Sequence, residues 1–99
     1  MNIQHLKYAV EIAKYGSISK ASEALYVAQP NLSRAIKDLE KELGIVIFDR
    51  SAKGIVLTPD GELLVQQAKS VLRHLDEIED MFHENLSLIH ISEPTRPIS

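Results

Sequence analysis

Apolar residues recur at three- and four-residue spacings in four stretches of the chain. Each stretch is bounded by a residue type that starts or stops a helix. The first carries Ile3, Leu6, Ala9, Val10 and Ala13, with Asn2 as its N-cap and Gly16 as its stop. The second is short and turns Ile18, Ala21, Ala24 and Leu25 inward, with Ser17 and Ser19 as candidate caps. Tyr26–Gln29 reads as a tight connection. Pro30 fits the first turn of a third helix, where its missing N–H costs nothing. Leu32, Ile36, Leu39 and Leu43 form that helix's apolar row, and Gly44 ends it.

The period then changes. Ile45–Arg50 reads as a strand, Ser51–Gly54 as a polar turn and Ile55–Leu57 as a second strand. Three short helices followed by a hairpin give a mainly α fold in the order of a winged helix-turn-helix. Thr58 is placed to cap a fourth helix, with Pro59 at its first position and Asp60 at the positive end of its dipole. In this helix Leu64, Ala68, Val71, Leu75, Ile78 and Phe82 alternate at four and three, a heptad seam. A helix of about 25 residues is ~37 Å long, more than a small core can cover. The seam is therefore expected to meet a second copy of the chain. The organisation predicted is a winged domain over 1–58 and a linker and dimerisation helix over 59–85.

Composition narrows the function. The 99 residues allow one small domain plus one long helix. With no cysteine, disulfide frameworks, thiolate zinc sites and cysteine nucleophiles are excluded. The apolar runs are far shorter than a membrane span requires. The start, MNIQHLKYAV, lacks the pattern of a signal peptide, so a cytoplasmic protein is expected. Net charge is −3, but it is unevenly spread. Residues 1–58 hold eight Lys/Arg against six Asp/Glu, whereas residues 59–85 hold two against seven. The compact N-terminal part is thus mildly basic, and placement rather than bulk charge must identify the partner.

The segment Ser17–Leu43 carries the chemistry. Away from Leu32, Ile36 and Leu39, the third helix offers Gln29, Asn31, Ser33, Arg34 and Lys37. Arg can donate two bonds to guanine, and Gln or Asn can pair with adenine in both directions. Ser33 and Lys37 suit phosphates; Ser19, at the start of the second helix, is a further candidate DNA-binding residue. Arg50 and Lys53 flank the hairpin turn, where a wing would meet the DNA backbone or minor groove. A solvated polar helix face is the bland reading of the same residues.

Enzymatic readings find little purchase. Glu79 and His83 share a helix face, as do Asp80 and Glu84, but one such pair supplies too few ligands for a metal. His5, His74 and His90 add no ligand spacing, and no phosphate loop or catalytic triad pattern occurs. Neither cofactor nor metal is expected. Gly61 in LTPDGE reads as a close-packing residue. A winged-helix protein-interaction module that does not read DNA is the remaining alternative.

The runs ISKASEALYVAQPNLSRAIKDLEKELGIVIFDRS and LTPDGELL resemble the N-terminal part of LysR-type transcriptional regulators, over residues 1–84. The resemblance implies promoter DNA as partner, homodimers or tetramers, and a C-terminal domain that senses a small-molecule effector. It puts Gln29, Pro30, Ser33 and Arg34 on DNA-reading positions and Arg50 and Lys53 on the wing. Three positions depart from the family pattern. Ala28 stands where Ser or Thr is common, Asn31 replaces a smaller residue, and Lys37 replaces a frequent Arg. The last fourteen residues lose the heptad and bring in two prolines. Their reverse translation over 86–96 resembles a transposase adapter of sequencing libraries, so residues 86–99 are expected to be non-native.

Overall fold

The computed structural model describes residues 1–51 and 54–91, with side chains of the last helix described through His83. Six elements follow in order: α1 (Ile3–Tyr15), α2 (Ile18–Leu25), α3 (Gln29–Leu43), β1 (Phe48–Ser51), β2 (Gly54–Leu57) and α4 (Pro59–Ile91). The two strands pair antiparallel, with Phe48 opposite Leu57 and Ser51 opposite Gly54. This is the winged helix-turn-helix order expected.

The caps work as the residue types dictate. Asn2 accepts a hydrogen bond from the Gln4 N–H and Ser17 accepts one from the Lys20 N–H. Gly16 and Gly44 close α1 and α3 in the left-handed region, where a side chain would be strained. Tyr26 closes α2 in the same region despite its side chain (φ 58°), which is 95% exposed.

The core gathers Leu6, Ala9 and Ile12 of α1, Ala21 of α2, Leu32, Ile36 and Leu39 of α3, Ile47, and Ala68 of α4. Each large aliphatic buried there contributes about 1.5–3 kcal/mol of transfer free energy. Helix faces are rotated slightly from the expected ones. In α1 the buried row is Leu6, Ala9, Ile12, while Ile3 stays exposed in the first turn. In α2 the buried pair is Ala21 and Ser22, and Ala24 is exposed. Ser22 is tolerated inside because its hydroxyl donates to the Ser19 carbonyl at 2.8 Å, which leaves no bare polar group. In α3, Ala35 is buried and Leu43 lies at the exposed margin.

The first strand starts later than its apolar run. Residues 45–47 are bonded elsewhere: the Ile45 N–H donates to the Glu40 carbonyl at 3.1 Å and the Ile47 N–H to Glu40 Oε2 at 2.8 Å. The Ile47 carbonyl accepts from the Thr58 N–H at 3.0 Å. This knot holds the C-terminal half of α3, the base of the wing and the start of α4 together.

Helix α4 runs six residues past its expected limit of 85, to Ile91. Residues 86–91 contain no glycine or proline; the first helix-breaking residue after them is Pro94. The heptad seam divides in two. Ala68 is buried and Leu64 packs half-buried against the same core, with Val65 also covered. The domain's own core thus covers Ala68 fully and Leu64 in part. Beyond them Val71, Ile78, Met81 and Phe82 are exposed, and Leu75 is half-buried. The molecule is accordingly elongated, 58 × 25 × 21 Å.

Candidate nucleic-acid interface

Helix α3 has two opposite stripes with the same spacing. Leu32, Ala35, Ile36 and Leu39 are buried. Two residues out of phase, Pro30, Ser33, Arg34 and Lys37 line the outer face, with Ser33 half-buried and the other three exposed. An offset of two residues is about 200° of helix rotation, so burying one stripe presents the other. Gln29 and Asn31, in the first turn, are exposed as well.

Two shallow clefts flank this ridge. On the wing side, Gln29 and Ser33 share a cleft with Ile18, Arg50, Ser51 and Ile55. Lys37 joins Ser33 and Arg50 in a deeper recess under the same flank. On the opposite side, Asn31 and Arg34 line a cleft with Asn2, Gln4, His5, Tyr8 and Asp38. The structure therefore brings Gln29, Ser33, Lys37 and Arg50 together and sets Asn31 and Arg34 on the other flank. Lys53 lies outside the described residues.

Ser19 is exposed at the start of α2 and reaches α3. The Gln29 Nε2 donates to Ser19 Oγ at 3.2 Å. This is a side-chain hydrogen bond between the two helices of the helix-turn-helix. The first turn of α1 was not foreseen as part of the surface. Gln4 Nε2 donates to the Tyr8 hydroxyl at 2.9 Å, and both line the Asn31–Arg34 cleft. Two polar residues four apart on a helix were the only sequence signal for it.

The electrostatics favour an anion. Among the described residues Arg34, Lys37 and Arg50 form no ion pair, so their charge is available. The N-cap position of α3 is Ala28, which makes no side-chain cap hydrogen bond. The Gln29 and Asn31 N–H groups of the first turn thus lack a side-chain cap at the positive end of the helix dipole, and Pro30 has no N–H to satisfy. Arginine, amide and hydroxyl side chains on one projecting helix can donate to base edges and to phosphate oxygens. Among the described residues no helix is long and apolar enough to cross a membrane.

Comparison with known proteins agrees with this geometry. The family model for the bacterial regulatory helix-turn-helix protein, lysR family, matches residues 3–62. The chain is 44% identical to an uncharacterised helix-turn-helix transcriptional regulator, YcgK, of Bacillus subtilis over 78 residues, 79% of this chain and 24% of that protein. It is 40% identical to the hydrogen peroxide-inducible genes activator of Haemophilus influenzae over 81 residues, 82% of this chain and 27% of that protein. Among solved structures it is similar to the DNA-binding domain of BenM in complex with catB site 1 DNA. The TM-score there is 0.82 at 37% identity, covering 88% of this chain and 94% of that one. The DNA complex of the CbnR DNA-binding domain gives a TM-score of 0.79 at 31% identity, over 87% of this chain and 99% of that one. The chain spans about a quarter of the length of the curated relatives it matches. It belongs to the LysR family of bacterial regulatory helix-turn-helix proteins.

Proposed function

We propose that this chain is the DNA-binding part of a cytoplasmic, nucleoid-associated transcriptional regulator that reads double-stranded promoter DNA as a dimer. The observation that carries the reading is the outer stripe of α3, held opposite the core and flanked by a wing. Its relatives' DNA-binding domains, of the same fold, were crystallised on DNA, which supports it. The regulator is a binder rather than an enzyme.

In this reading α3 enters the major groove. Arg34 reads guanine through O6 and N7, while Gln29 and Asn31 read adenine. Pro30 presets the first turn, and Ser19, Ser33 and Lys37 hold phosphates. Arg50 and Lys53 meet the flanking backbone or minor groove from the wing. Residues 1–58 act as the reading domain and residues 59–85 as the linker helix. The outer part of the seam, Val71, Leu75, Ile78 and Phe82, pairs with a second copy. Half-sites then lie about one helical turn, ~34 Å, apart or a multiple of it.

The test is selection of bound duplexes from a random library, followed by affinity measurement on the enriched site and on an unrelated duplex. Arg34→Ala should weaken binding to the enriched site by ~1–3 kcal/mol and leave the unrelated duplex nearly unchanged. Failure to enrich any motif, with Arg34→Ala neutral on DNA, would point to a protein-interaction module instead.

A further inference from the structure

The bond between Gln29 and Ser19 bears on which base is read. Gln29 opens α3 and faces the wing-side cleft; Ser19 is the second residue of α2 and is likewise exposed. A free glutamine amide rotates and presents either of two patterns. With Oε1 and one Nε2 hydrogen forward it accepts from adenine N6 and donates to N7. Turned so that Nε2 leads, it donates to guanine O6 or N7 instead. In this structure Nε2 donates to Ser19 Oγ at 3.2 Å. A primary amide nitrogen has two hydrogens, so one remains, with Oε1, for a base edge while the other is held by the hydroxyl. A hydroxyl can also donate to Oε1, so the sense of the amide is fixed once the hydroxyl's own hydrogen goes to a phosphate oxygen, which leaves it an acceptor for Nε2.

We infer that Ser19 is a positioning residue that holds Gln29 in its adenine-reading orientation and so sets base preference at one position of the site. The inference rests on the base-reading role of Gln29 given above. Ser19 is suited to it because its hydroxyl is not spent on capping a helix. Ser17, not Ser19, caps α2, and the contact of Ser22 is to the backbone carbonyl of Ser19. Having accepted from Gln29, the hydroxyl keeps its own hydrogen to donate to a phosphate oxygen. A bidentate amide–adenine pair carries roughly 5- to 150-fold discrimination against a wrong base, and preorganisation decides how much is realised.

The experiment measures relative affinities of the full chain for the selected site and its single-base variants, with Gln29→Ala, Ser19→Ala and Ser19→Thr. Gln29→Ala identifies the position by flattening its preference. At that position Ser19→Ala should lower the adenine-over-guanine ratio about threefold or more, while the ratios elsewhere hold. Ser19→Thr, which keeps the hydroxyl, should restore it. A uniform loss of affinity in Ser19→Ala with the ratio unchanged would overturn the inference and leave Ser19 a phosphate contact. If Gln29→Ala flattens no position, the base-reading role itself fails and the inference with it.

Discussion

Gly61 lies against the backbone of Ile47: a Cβ on Gly61 would stand 2.0 Å from the Ile47 carbonyl oxygen and 2.9 Å from its carbon. The first turn of α4 is thereby pressed onto the strand leading into the wing. Thr58, between wing and helix, completes the junction. Its Oγ1 accepts from the Gly61 N–H at 2.9 Å and donates to the carbonyls of Val46 and Ile47. The Gly61–Ile47 approach and the three hydrogen bonds of Thr58 Oγ1 thus set the direction in which the long helix leaves the reading domain.

Gly61→Ala has no room to relax, because the obstacle is the Ile47 main chain rather than a flexible side chain. The expected cost is at least about 1–3 kcal/mol, the range for overpacking. Urea denaturation followed by far-ultraviolet circular dichroism measures it. An unchanged midpoint would mean that the junction is looser than this contact implies.

Thr58→Ala removes the N-cap of α4 and its bonds to the wing base. Loss of about 0.5–2 kcal/mol is expected, and Thr58→Ser should recover most of it. Thermal unfolding of the three proteins, compared at one concentration, gives the ordering.

Ala28 leaves α3 without a side-chain cap. Ala28→Ser should therefore stabilise the fold by about 0.5–2 kcal/mol, the reverse of a cap deletion. The added hydroxyl would sit at the N-terminus of the helix proposed to enter the groove, so DNA affinity should not fall. Denaturant titration and fluorescence anisotropy on one duplex check both halves. Destabilisation would show that the Ala28 backbone (φ −64°, ψ 140°) does not accommodate the cap geometry.

Ile78 and Phe82 are 40% and 60% exposed on the far part of α4. Replacing both by Glu should leave the melting of the reading domain nearly unchanged and abolish dimers in sedimentation velocity. DNA binding should then weaken on paired half-sites far more than on a single one. Persistence of the dimer would move the interface off this seam.

The fold was readable because its punctuation is local. Asn2, Ser17 and Thr58 cap where their hydrogen-bonding groups allow, and Gly16 and Gly44 stop helices as their backbone freedom predicts. Gly61 was legible as a packing residue, though the partner, Ile47, was not. What failed were the faces that tertiary contacts decide. Periodicity could not say that Ser22 goes in and Ala24 out, because that depends on a hydroxyl finding the Ser19 carbonyl. Nor could it say that Ala68 is spent on the domain's own core while Phe82, in the same heptad register, is not. Of the surface itself, the outward residues of α3 followed from the position of its buried row. The joining of Gln29 to Ser19, ten residues apart, and the flanking role of Gln4 and Tyr8 needed the fold.

The central claim is that the outer face of α3 reads base edges in the major groove. Dimethyl sulfate interference on the selected site tests it most directly, since the reagent methylates guanine N7 in the major groove and adenine N3 in the minor groove. Methylation at a guanine N7 in each half-site should block binding, and Arg34→Ala should lose that interference at the same guanine. Interference confined to adenine N3, or a guanine pattern indifferent to Arg34→Ala, would contradict the account.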